Sequence, residues 1–124
     1  MVICSKSIQS LCLRYLMPAH IITIRPDHIL DGVTGIAFRQ EVTAAIDAGA
    51  DIILVDCQDT KFMDSSGLGA LVLALKAIRT AERQLALCSL NQQVRTLFQL
   101  TEIAQVFQIY ENRQQFEQSN LHKA

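Results

Sequence analysis

Between Asp51 and Cys57 the chain reads DIILVDC, with four apolar residues in unbroken succession. A strand with one wet face alternates apolar and polar side chains. A strand that does not alternate has to be covered on both faces, and that happens in a parallel sheet flanked by helices. The run is far shorter than the ~20 residues needed to span a bilayer as a helix. The segment therefore demands helices on either side of it in sequence, and the flanks supply them.

Upstream, GVTGIAFRQEVTAAIDAGA places Val33, Ile36, Ala37, Val42, Ala45 and Ile46 on a plausible helical face, with Gly49 at the exit. Downstream, Leu68, Leu71, Val72, Leu75 and Ile78 form one helical stripe within Gly67–Ala81. HIITIRP (His20–Pro26) and QLALCSL (Gln84–Leu90) read as strands. NQQVRTLFQL opens on Asn91, a good N-cap, and buries Val94, Leu97 and Phe98. QVFQIY is a short last strand, and ENRQQFEQSNL a last helix held by Phe116. SLCLRYL (Ser10–Leu16) is a candidate hairpin partner of the first strand across MPAH. Alternating strands and helices predict an α/β sandwich with helical crossovers. The expected organisation is an N-terminal extension over 1–16, with Met17 a possible start, and a single domain over 17–120.

Composition removes several classes of function. The net charge is −1 and there is no tryptophan, so neither a basic face nor a stacking platform for nucleic acid is expected. Cys4, Cys12, Cys57 and Cys88 form no CxxC pair, and His20, His28 and His122 are scattered, so no zinc spacing exists. Cys57 and Cys88, in apolar runs, read as buried reduced thiols.

The loop QDTKFMDSSG leaves the carboxyl end of DIILVDC and enters the longest helix, where α/β sheets gather their functional residues. Asp64 or Ser65 can cap that helix. The serines lack the G-x-S-x-G elbow, the S-x-x-K pair and the phosphate-binding G-x-x-x-x-G-K-[ST] loop. A phosphoacceptor fits better. Phosphate adds roughly −1.5 to −2 charge, and a helix N-terminus accommodates an anion.

DIILVDCQDTK followed by FMDSSGLGALVLALKAIR resembles the STAS domain of the anti-sigma factor antagonist family, in which an apolar strand leads to a D-S-[ST]-G-L-G turn. ILDGVTGIAFRQEV is similar to that family's L-D-x-x-T segment, with Asp31 in place of its acidic residue. Residues 84–118 are similar to its closing strand–helix–strand–helix part. The chain departs from the pattern at Pro26 and at His28, which stands near a usual glycine.

The resemblance implies an α/β, STAS-like fold: a mixed, mostly parallel sheet of four to five strands with helices packed against it. It implies a cytoplasmic binding module that is not an enzyme and needs no cofactor or metal. Ser65 would be the phosphorylated residue. Asp31, Asp64, Ser66, Gly67 and Leu68 would form the partner-binding site. The implied partners are an anti-sigma factor that is also a serine-protein kinase of the histidine-kinase-like ATPase type, and a metal-dependent serine phosphatase. Neither nucleic acid nor membrane is implied. Two alternatives stay open: a STAS module in a partner-switching or scaffolding complex without a sigma factor, and a nucleotide-binding or serine-hydrolase domain using the same loop.

Overall fold

The computed structural model describes residues 20–123. The extension over 1–16 and the candidate hairpin strand Ser10–Leu16 lie outside the described residues. Strand β3 (Ile52–Asp56) is buried along its whole length. On one side it pairs with β1 (Ile21–Ile24), and on the other with β5 (Gln84–Cys88). With β6 (Gln108–Tyr110) these make a four-stranded sheet of order β1-β3-β5-β6, parallel at every pairing.

The unbroken apolar run is accounted for by both faces. Ile53 and Val55 join the larger core with Phe38, Val42, Leu71, Ile78, Val94 and Phe98. Ile52 and Leu54 point the other way and join Ala86, Cys88 and Phe116. Three helices, α1 (Thr34–Asp47), α2 (Ser65–Thr80) and α3 (Gln92–Leu100), supply the first set. The fourth, α4 (Arg113–Lys123), covers the second face through Phe116, which also meets Tyr110 edge-on at 5.4 Å.

Two expectations are corrected. The first strand stops at Ile24 rather than Pro26, because proline carries no N–H to extend a ladder. The buried face of α1 is Gly35, Phe38, Val42 and Ala45. Val33 and Ile36, placed in the expected stripe, are exposed. The helix is rotated because Gly35 lies against α2: a Cβ there would stand 3.0 Å from that of Ala70. Glycine, which carries no hydrophobicity signal, marks the contact face.

Two further strands have no counterpart in the sequence reading. β2 (Ile29–Leu30) and β4 (Phe62–Met63) pair in parallel as a separate small sheet, with Ile29 opposite Phe62 and Leu30 opposite Met63. Two residues are too few for any periodicity to register. This small sheet leads directly into α1 and α2, and so positions the site.

Candidate functional site

Each strand of the small sheet is followed by an aspartate, then a helix. Asp64 has extended backbone (φ −106°, ψ −175°), and its carboxylate accepts from Gly67 N–H at 2.8 Å. Its carbonyl accepts from Leu68 N–H at 2.9 Å. Asp31 does the same one strand away. Its Oδ1 accepts from Val33 and Thr34 N–H, each at 3.0 Å, and its carbonyl accepts from Gly35 N–H at 2.8 Å. Thr34 answers with its hydroxyl, which accepts from Asp31 N–H at 2.9 Å and donates to the Ile29 carbonyl at 2.8 Å. This is a reciprocal capping arrangement. The hydrogen bond from Thr34 N–H, foremost among these donors, lowers the Asp31 pKa from its ordinary 3.8.

The in-register pairing of β2 with β4 therefore sets two acidic helix caps side by side. Asp64 N–H donates to the Leu30 carbonyl at 3.3 Å, which ties the second cap to the first strand. Ser65 and Ser66 begin α2 just beyond. Both are exposed, and neither hydroxyl bonds to any described residue. Asp64 holds the third N–H of the helix, and the Ser65 and Ser66 N–H groups stay at its open mouth. A Cβ at Gly32 would lie 3.6 Å from that of Ser66, so the turn leading into α1 stands against Ser66.

The remaining expected partner-facing residues behave differently. Gly67 and Leu68 are buried, Leu68 at 4 % exposure in the main core. Neither offers a side chain to the outside. On the other side of α2, Ala70 is buried, while Leu73 and Ala77 are exposed. Sequence reasoning missed several exposed apolar side chains. Ile29 and Phe62 stand opposite each other on the small sheet, 49 % and 47 % exposed, and Val33, Ile36 and Leu73 are also exposed. Val33 and Ile36 were misread because apolar residues at helical spacing were assigned to one face, while Ile29 and Phe62 lie in two-residue strands that leave no periodicity.

The loop into β4 is held by α3. The Asn91 amide donates to the Thr60 and Lys61 carbonyls, and Gln93 bonds both Met63 backbone groups. Among the described residues no group of three or more His, Cys, Asp or Glu could hold a metal ion, and no helix is long and apolar enough to cross a membrane.

The chain is 28 % identical over 93 residues to the anti-sigma F factor antagonist of Paenibacillus polymyxa, covering 74 % of this chain and 80 % of that protein. It is 27 % identical over 74 residues to BtrV of Bordetella bronchiseptica, provisionally named an anti-sigma factor antagonist, covering 60 % of this chain and 64 % of BtrV. It thus spans less than two-thirds of BtrV. The fold matches a crystal structure from Thermotoga maritima, also provisionally named so, at TM-score 0.71 and 24 % identity, over 85 % of this chain and 94 % of that one. It also matches the anti-sigma factor antagonist SpoIIAA in its unphosphorylated form, at TM-score 0.66 and 21 % identity, over 83 % of this chain and 90 % of that one. The match to phosphorylated SpoIIAA of Bacillus has TM-score 0.61 and 20 % identity, over 83 % of this chain and 94 % of that one. At such identities the structural likeness is one of fold. The STAS domain family model matches residues 17–116. The two aspartate-capped helices on a parallel sheet are thus those of a STAS domain, and the chain belongs to that family.

Proposed function

We propose that this chain is an anti-sigma factor antagonist switched by phosphorylation of Ser65. In its unphosphorylated form it binds an anti-sigma factor that is also a serine kinase, and so frees the sigma factor. The phosphorylated form is released, and a metal-dependent phosphatase restores the hydroxyl. ATP and its metal belong to the kinase.

The observation that carries the reading is Ser65 itself: exposed, its hydroxyl without a hydrogen bond, at the first position of a 16-residue helix beside two carboxylates. A phosphate placed there meets favourable N–H groups and an unfavourable pair of acidic neighbours. The fold tolerates it, while the surface charge seen by a partner changes sharply. The existence of SpoIIAA in both phosphorylation states on this one fold supports a switch of that kind. Ile29 and Phe62, paired and exposed on the small sheet, together with the exposed Val33, Ile36 and Leu73, offer a partner apolar side chains. Asp31, Asp64 and Ser66 complete the contact. Gly67 and Leu68 act from beneath, by holding α2 in place.

The test has two parts. Phosphopeptide mapping after reaction with the kinase is expected to place the phosphate on Ser65, and the far-UV circular dichroism of the two forms is expected to overlay. In titration calorimetry against the kinase with a non-hydrolysable nucleotide, Ser65→Ala is expected to bind within about threefold of wild type, as one lost hydroxyl adds no charge. Ser65→Asp is expected to weaken binding at least about tenfold, equivalent to 1.4 kcal/mol, and phosphoserine more. Equal binding by all forms overturns the switch. A captured kinase that controls no sigma factor would instead place the domain in another partner-switching complex.

A further inference from the structure

In a two-residue strand, backbone groups that face away from the partner strand are open unless something caps them. In β4, Phe62 N–H and Asp64 N–H point to β2, donating to the His28 and Leu30 carbonyls at 3.1 and 3.3 Å. The groups of Met63 point the opposite way. There the Gln93 carboxamide takes both: its oxygen accepts from Met63 N–H at 3.0 Å, and its nitrogen donates to the Met63 carbonyl at 2.9 Å. A single side chain thus stands in for a third strand. Asn91 works beside it. Its oxygen caps α3 by accepting from Val94 N–H at 2.9 Å, and its nitrogen donates to the Lys61 and Thr60 carbonyls at 2.9 and 3.1 Å. The residue after Met63 is the cap Asp64, and the next is Ser65.

We infer that Gln93, seconded by Asn91, is a positioning residue for phosphoryl transfer to Ser65; this rests on the phosphoacceptor reading above. In that transfer the Ser65 oxygen forms a bond to the γ-phosphorus of ATP while the bond to the ADP oxygen breaks, and the hydroxyl proton passes to a base on the kinase. The attacking oxygen has to stand in line with the leaving group, so small displacements slow the step steeply. The Ser65 hydroxyl has no hydrogen bond of its own to hold it, and the turn that carries it is fixed by β2 on one edge and Gln93 on the other. Loss of the clamp frees the Met63–Ser65 turn to shift, while the exposed Ile29, Val33, Ile36 and Leu73, proposed above as kinase contacts, lie outside β4 and keep their places.

The experiment compares wild type, Gln93→Leu, Gln93→Glu, Asn91→Asp and Phe116→Leu. Gln93→Leu keeps the bulk and removes both hydrogen bonds. Gln93→Glu keeps the acceptor for Met63 N–H alone, and Asn91→Asp keeps the α3 cap but loses the donors to Thr60 and Lys61. Phe116→Leu weakens the protein from the opposite face of the sheet. Steady-state phosphorylation uses ATP, magnesium and the serine kinase purified by its activity on wild-type chain. Gln93→Leu is expected to lower kcat about tenfold with KM nearly unchanged. Smaller losses are expected for Gln93→Glu and Asn91→Asp, and none for Phe116→Leu. Amide hydrogen exchange over Phe62–Gly67 is expected to speed up by a similar factor in Gln93→Leu, by less in Gln93→Glu and Asn91→Asp, and not in Phe116→Leu. Wild-type kcat or unchanged exchange in Gln93→Leu overturns the inference, as does an equal kcat loss in Phe116→Leu. Absence of Ser65 labelling in wild type would overturn the phosphoacceptor reading instead, and with it the catalytic half of the inference, while the exchange arm still decides whether the clamp holds the turn.

Discussion

A methyl group at Gly67 would overlap the Leu30 carbonyl oxygen and stand 3.1 Å from the Met63 side chain. The first turn of α2 lies this close to β2 because only hydrogen faces the backbone there. The glycine next but one, Gly69, has nothing within 4 Å of an added Cβ, so the two glycines of GLG differ in role. Gly67→Ala is expected to cost about 3 kcal/mol or more, since the atom in the way is backbone and cannot rotate aside. Gly69→Ala is expected to be neutral or stabilising by up to about 1 kcal/mol. Urea midpoints of the two variants check the contrast, and equal midpoints would contradict the close approach. Gly67 is visible in the sequence only as a glycine in the first turn of a helix. Which atom it makes room for depends on a strand thirty-odd residues away.

At the scale of the element, helix ends carry most of the local information. Asp64 and Asn91 cap α2 and α3 as their residue types predict, and Gly49 ends α1 at φ 86°. Two other helix exits use the same left-handed turn without glycine: Glu82 after α2 at φ 62°, and Glu102 after α3 at φ 58°. In both, the following N–H reaches back, Arg83 to the Ile78 carbonyl at 2.9 Å and Ile103 to the Phe98 carbonyl at 3.2 Å. A left-handed non-glycine residue costs roughly 1–2 kcal/mol, and glycine returns part of this as unfolded-state entropy. Glu82→Gly is therefore expected to raise stability by about 0.5–1 kcal/mol, read as a higher thermal midpoint, and a lower one would count against it. The acidic cap of α1 gives a pH signature. The folded pKa of Asp31 is lowered, so its charge stabilises the fold fully above the ordinary value of 3.8 and loses that effect as pH falls through the lower folded value. Asp31→Asn keeps a capping oxygen and removes the charge. The stability gap between wild type and Asp31→Asn is expected at pH 7 and expected to shrink in acid titration as the pH falls below the ordinary 3.8. A gap constant across that range would show that the charge does nothing.

Across the whole molecule, the two faces of the sheet form separate cores with one cysteine in each. Cys57 lies in the larger core and Cys88 in the smaller, beneath α4. Burial, foremost, pushes Cys57 up to about 12 and Cys88 up to about 11, so neither is a useful thiolate near neutral pH. Their modification has to wait for opening. Pulsed alkylation read by mass spectrometry on the two peptides is expected to show both rates rising together with urea. A much faster Cys88 would mean that α4 and Phe116 lift off as an independent unit. The run DIILVDC determined by itself that a strand would be buried on both faces, and the alternation around it determined a parallel α/β fold. Capping residues and the DSSG turn were equally legible, because they act within four residues of one another. The sequence could not determine the small β2–β4 sheet, the rotation of α1 onto Gly35, the exposure of Ile29, Val33, Ile36 and Phe62, or the grip of Gln93 on Met63. Those were decided by tertiary structure, because each depends on backbone groups and small residues from distant segments meeting at one place, and neither periodicity nor propensity records such meetings.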